Sequence, residues 1–232
     1  MTINLETLFV TNRKQATQAK PVLVLGAGGH ARVLIEVLFA QGREIVGLVA
    51  PQVSDAPEFD GIRHFKADDD VLNFAPDAIE LVNAVGSLPQ ASALRERLFT
   101  RFSGLGYVFA TVIAPSAVVS QFAQLEQGVQ ILPGAIVNGC AIGANTIINS
   151  GAIVEHDVQV GAQCHVAPGA VICGDVTLAE RVHVGAGATI IQGLHIGTEA
   201  VIGAGSVVTR AVPANAIHYP AKGFIKKDAD QA

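Results

Sequence analysis

Of the seven histidines in the chain, five lie in its C-terminal half, among them His156, His165, His183 and His195. An imidazole titrates near neutrality, so it can take a proton from an attacking amine or hydroxyl. His156 is flanked by two carboxylates, Asp157 and Glu155, either of which can orient an imidazole or stabilise its charge. His165 follows nine residues later, and His183 eighteen after that. No histidine lies five residues from either, so the close pair that a zinc site wants is missing and no metal is expected. Near the other end, Gly26-Ala-Gly28-Gly29-His30 follows an apolar run and opens an amphipathic stretch. Such a loop turns backbone N–H groups and a helix N-terminus toward a phosphate. Cys140, Cys164 and Cys173 show no metal-type pairing and read as small apolar residues in a reducing compartment.

These groups have to be carried by a frame of 232 residues, half of them hydrophobic and 15% charged. A net charge of −5 without basic clusters argues against a nucleic-acid partner. No apolar run approaches the ~20 residues of a membrane span. With Glu6 ahead of a short apolar patch the N-terminus does not read as a secretory signal, so a cytoplasmic protein is expected.

The frame shows itself as a repeat. Stepping by six from Ile136 meets Ile142, Ile148, Val154, Val160, Val166, Ile172, Leu178, Val184, Ile190, Ile196, Ile202 and Val208. With roughly a third of positions aliphatic, chance gives such a run less than about once in a million. An earlier stretch keeps the step through Ile113, Val119, Leu125 and Ile131, and one residue is then dropped before Ile136. A period of six fits a short strand plus a tight corner with one aliphatic side chain pointing inward. Three strands close a triangular coil, and coils stack at the spacing of paired strands, roughly 4.8 Å. A narrow aliphatic prism also accounts for the absence of Trp and an aromatic content of 5%.

Ahead of the repeat, residues 1–20 read as a polar arm. Pro21–Leu25 reads as a buried strand, the stretch from the Gly loop to about Gln41 as a helix, and Glu44–Ala50 as a second strand. Strand and helix signals alternate through Ile79–Ala84, Ala91–Phe102 and Tyr107–Phe109, which predicts a small α/β unit with a parallel sheet. The second strand ends Leu48-Val49-Ala50-Pro51, without the carboxylate that a nicotinamide site uses to hold a ribose. The organisation expected is an arm (1–20), a Rossmann-like half-domain (21–110), an all-β β-helix (111–210) and a tail (211–232).

The Gly-x-Gly-Gly-His loop, the Ala-Pro-Ser-Ala passage at Ala114–Ala117, and hexads carrying Asn149-Ser-Gly-Ala-Ile-Val-Glu-His156-Asp157 together make the chain resemble a known family over residues 21–223, including a Pro220-Ala221-Lys222 element. That family is the sialic-acid O-acetyltransferase-like and nucleotide-amino-sugar N-acetyltransferase group of hexapeptide-repeat acyltransferases. The resemblance implies a left-handed coil and acetyl-CoA as co-substrate. It implies a nucleotide-linked or free sugar as acceptor and a homotrimer with clefts between subunits. It makes His156 the base, with Asp157 or Glu155 as its acidic partner, and puts Asn149 near the acceptor. His165 falls near the acyl donor, and the Gly174 N–H can meet the thioester carbonyl. Gly26, Gly28, Gly29 and His30 are expected to bind substrate, and the corner glycines Gly185, Gly187, Gly203 and Gly205 to lie along a coenzyme A arm or simply to turn corners. The expected reaction is N-acetylation of a nucleotide-linked amino sugar for cell-surface glycan synthesis, with sugar O-acetylation and a non-catalytic scaffold as alternatives.

Overall fold

The computed structural model describes residues 19–89 and 93–220. Nearly all of the expected arm, and the Pro220-Ala221-Lys222 element and tail beyond Pro220, lie outside the described residues.

β1 (Val22–Leu25) is buried on both faces, which is why it reads as an unbroken apolar run. It pairs in parallel with β2 (Ile45–Val49) and β4 (Glu80–Asn83), and β3 (His64–Phe65) extends the sheet beyond β2, in the order β3-β2-β1-β4. α1 (Gly29–Ala40) covers one face with Ala31, Leu34, Ile35 and Leu38. α2 (Ala93–Gly104) covers the other with Leu98, Phe99 and Phe102, joined by Tyr107 and Phe109. β3 has no counterpart in the sequence reading, since two residues are too few to set up a pattern.

From Val112–Ile113 to Ile217–His218 the chain forms eighteen two-residue strands in three parallel sheets, a left-handed parallel β-helix whose ladder continues past residue 210. We number its faces by their first strands: face 1 from Val112–Ile113, face 2 from Val118–Val119 and face 3 from Gln124–Leu125. Stacked partners are 18 residues apart, as in Ile147 with His165 and His165 with His183. Ile148, Val154, Val160, Val166, Ile172, Leu178 and Val184 fill the prism without exposure of any consequence. Every sixth residue from Asn145 to Gly205 has a left-handed φ near +60°, so each corner turns at one such residue.

One detail of the repeat is corrected. The inward residue of its strand is Val137, not Ile136: Val137 is fully buried and stacks between Val119 and Val154. The dropped residue therefore falls after this strand, in the corner Asn138–Cys140, and pairs spanning that corner are 17 apart, as in Ile136 with Ile153. Two adjacent aliphatic residues left the step of six unable to tell which one points inward.

The outer surfaces of the three faces differ. Face 1 lies against the front domain, where Val112, Ala114, Leu132 and Ile147 join the α1 core. Face 3 presents Gln124, Ala141, Gln159, Thr177 and His195. Face 2 presents Val118, Ile136, Ile153, Val171, Thr189 and Val207, of which Val118 and Val207 are exposed.

Candidate active site

His156 sits at the corner between faces 2 and 3, with 69% of its side chain exposed. Asp157 takes the left-handed position of that corner, φ 62°, and its Oδ2 lies 2.8 Å from His156 Nδ1. A carboxylate accepting the Nδ1–H fixes the neutral tautomer with its lone pair on Nε2. The same bond raises the His156 pKa; loss of hydration opposes it, and the charges of Asp157, Glu155 and Asp175 add to the rise. Glu155 does not touch the ring. Its Oε2 accepts from Asn138 Nδ2 at 2.9 Å, so it acts on His156 only through its field.

The imidazole lies over Gly174, one coil further on. A Cβ at Gly174 would be 2.8 Å from His156 Cε1, so a side chain there would displace the ring. The Gly174 carbonyl accepts from Gly193 N–H, while its own N–H has no partner among the described residues.

Asn149 and His165 lie at the other end of face 2, on the corner and strand of face 1. Asn149 Nδ2 donates to His165 Nε2 at 3.1 Å, and His165 Nδ1 donates to the Ser87 carbonyl of the front domain at 2.7 Å. Both ring nitrogens are thus occupied, and burial lowers the His165 pKa. His183 stacks edge-on against it at 4.9 Å. Within one chain, then, Asn149 and His165 are brought together, but His156 is not brought to them. The four corner glycines lie on the same edge as Asn149. Gly185 is required by close packing, since a Cβ would sit 2.5 Å from Ala204 N, and at Gly203 it would meet Pro220 Cδ at 3.0 Å. Gly187 and Gly205 have left-handed φ values and open space above them.

The Gly loop forms one wall of a cleft of about 530 Å³. Gly26 has φ 114° and a Cβ there would lie 3.0 Å from the Ala84 carbonyl, so only glycine fits; Gly28 and Gly29 face open space. His30 lines the cleft and its Nε2 is 2.7 Å from Gln130 Oε1 of the β-helix. Burial, with Arg95 nearby, pushes its pKa down to about 4, so it stays neutral. The opposite wall, Val49–Gln52, carries no carboxylate, but Asp68 lines the same cleft. Asp69 pairs with Arg101 and Asp70 accepts the Ala67 N–H, whereas Asp68 bonds no side chain among the described residues. The sequence reading missed Asp68; the run Asp68-Asp69-Asp70 was its only signal.

The PglD N-terminal domain model matches residues 21–102, and the bacterial transferase hexapeptide model matches 139–174. A histidine-to-alanine mutant of GDP-perosamine N-acetyltransferase from Caulobacter crescentus, in complex with CoA and GDP-perosamine, is 33% identical, over 90% of this chain and 97% of that one, with a TM-score of 0.77. The chain belongs to the hexapeptide-repeat nucleotide-amino-sugar acetyltransferases. This acetyltransferase is also similar to the acetyltransferase domain of PglB from Neisseria gonorrhoeae bound to acetyl coenzyme A, at 26% identity over 89% of this chain and all of that domain, TM-score 0.80. WeeI from Acinetobacter baumannii shares the fold at 19% identity, over 86% of this chain and 96% of that one, TM-score 0.67. No curated protein matches the acetyltransferase by sequence. Among its described residues no group of His, Cys, Asp or Glu is arranged to hold a metal, and no helix is long and apolar enough to cross a membrane.

Proposed function

We propose that the chain transfers the acetyl group of acetyl-CoA to the amino group of a nucleotide-linked sugar. The observation that carries this reading is the His156 ring, held by Asp157 through Nδ1 with Nε2 free, over a glycine whose N–H is unengaged. His156 Nε2 takes a proton as the amine lone pair attacks the thioester carbonyl, and the Gly174 N–H faces the developing oxyanion. Collapse of the tetrahedral intermediate breaks the C–S bond, and the imidazolium returns its proton to the leaving thiolate. No acyl-enzyme is needed: the Cys140 and Cys164 thiols are buried, with pKa values pushed up to about 11 and 12.

The Gly-loop cleft takes the nucleotide, its phosphates at the N-terminus of α1 and its ribose 2′-hydroxyl on Asp68. The Caulobacter relative, bound to CoA and GDP-perosamine, supports this class of acceptor. The cleft, Asn149 and His165 lie at one end of face 2 and His156 at the other. We infer a homotrimer in which the apolar outer surface of face 2 is covered and His156 of one subunit meets the Asn149 edge of the next. Three free cysteines support a reducing, cytoplasmic setting.

The test is thiol release from acetyl-CoA against UDP-, GDP-, CMP- and dTDP-linked amino and plain sugars, for wild type beside His156→Ala. Turnover on an amino sugar, lost in the variant, is expected. Turnover only on sugars that lack an amino group, or turnover that survives the substitution, overturns the reading.

A further inference from the structure

Arg95, in the first turn of α2, is 2% exposed and makes no ion pair among the described residues. Its Nη1 donates to the carbonyls of Asn83 at 2.6 Å and Val85 at 2.8 Å, and its Nε and Nη2 donate to the Asn145 carbonyl at 3.3 and 3.2 Å. Asn83 Nδ2 closes the arrangement by donating to the Arg95 carbonyl and to Asn145 Oδ1. Gln130, also buried, donates to the Asn83 carbonyl at 2.8 Å and bonds His30 on its other side. Burial draws the Arg95 pKa down to about 9.

A buried cation held only by carbonyl dipoles is a poor way to stabilise a fold, because apolar side chains of equal volume fill such a space without the desolvation cost. What the guanidinium grips is more informative. Asn83 ends β4, and Val85 lies within the cleft wall Ala84–Gly86, which is followed by Ser87, whose carbonyl sets the His165 tautomer. Asn145 is a left-handed corner of the β-helix. One planar fork therefore ties the cleft wall to the β-helix, and the five fixed donors of arginine suit a joint that must hold one geometry.

We propose that Arg95 is a positioning residue for acetyl transfer: it fixes the segment from Asn83 to Ser87 so that an acceptor seated in the Gly-loop cleft is presented at a set distance from the His165–Asn149 edge. This rests on the function proposed above for the cleft. A side chain that only supported the fold would, when changed, lower stability and active fraction. A positioning residue changes acceptor handling in protein that is still folded.

The experiment uses the full chain carrying Arg95→Ala or Arg95→Lys, checked for wild-type melting and assembly size. The KM values for the acceptor nucleotide sugar and for acetyl-CoA are read together with the His165 ring signals in histidine-labelled protein. In Arg95→Ala the acceptor KM is expected to rise about tenfold or more while that for acetyl-CoA stays within about twofold. The His165 Nδ1–H signal loses its protection, and millimolar guanidinium restores both properties. Arg95→Lys, which keeps the charge without the fork, shows the same defect and is not rescued; it stands in if the alanine variant does not fold. Folded variants with wild-type KM values and an unchanged His165 signal overturn the proposal. If wild type acetylates no nucleotide sugar, it is the function of the cleft that fails, and the His165 signal still decides whether Arg95 holds this segment.

Discussion

If His156 is the base, as proposed, its pairing with Asp157 fixes how the rate must depend on pH. A base acts only when unprotonated, and its pKa is raised above the ordinary 6.5, chiefly by the bond to Asp157. The rate therefore falls as pH drops through that raised value and levels off above it. In Asp157→Asn the main cause of the rise is gone, so the acid limb of the kcat profile moves to lower pH. The plateau also drops, by about 10²-fold or more, because the amide no longer enforces the Nε2 lone pair. An acid limb that does not move would show that another group titrates. Asp68 makes a separate prediction about binding. If its carboxylate holds the ribose, Asp68→Ala weakens a ribonucleoside diphosphate by about tenfold or more in calorimetry and leaves the 2′-deoxy analogue unchanged. Equal losses for the two nucleotides would remove Asp68 from the ribose. The contact between His156 and Asp157 was legible in the sequence because the two are adjacent in the chain and one corner brings their side chains together. Asp68 was not, because its cleft is made by segments that only the sheet draws together. Asn149 and His165 were singled out only through the family resemblance, and their bonds to each other and to Ser87 depend on how the front domain docks.

Strands of two residues carry little stability of their own, so the corners decide whether a coil can close. Two kinds of glycine do this in different ways, and substitution separates them. Gly151 has φ 66° and nothing within 4 Å of a built Cβ, so Gly151→Ala bears only the left-handed penalty, about 1 kcal/mol. At Gly161 the φ is ordinary, but a Cβ would lie 2.7 Å from Ala179 C and Glu180 N of the next coil. Backbone cannot swing aside as a side chain can, so Gly161→Ala is expected to cost about 3 kcal/mol or more, read from denaturant midpoints. Similar costs for the two would mean that coil spacing tolerates a methyl group. The hexad pattern exposed this element fully in outline, since one inward aliphatic per strand is a period no helix shares. It failed at Ile136–Val137, where both residues could fill the prism and only stacking on Val119 and Val154 selects the second. The coil's hand was legible only through resemblance, because the inward pattern is the same for either hand.

At the scale of the molecule, the two halves of the proposed site sit on opposite edges of face 2, and the chain has no way to fold one onto the other. The front-domain cleft, Asn149 and His165 belong to one edge; His156, Asp157 and Gly174 belong to the other. The outward residues between them, Val118, Ile136, Ile153, Val171 and Val207, are what a three-fold assembly would cover. Neighbouring subunits in that assembly supply opposite edges to each site, which predicts complementation between two inactive variants. His156→Ala removes the base and leaves the cleft. Gly28→Phe blocks the cleft and leaves the base, and the fold tolerates it, because Gly28 has an extended backbone with open space at its Cβ. Each variant alone is inactive at every site. Unfolded together in equal amounts and refolded, subunits assort at random. A site then works when its cleft comes from the His156→Ala chain and its base from the Gly28→Phe chain, about one site in four. Recovery of about a quarter of wild-type turnover in the mixture is therefore expected. If cleft and base instead met within one chain, every site would keep one lesion, and the mixture would stay as inactive as its parts.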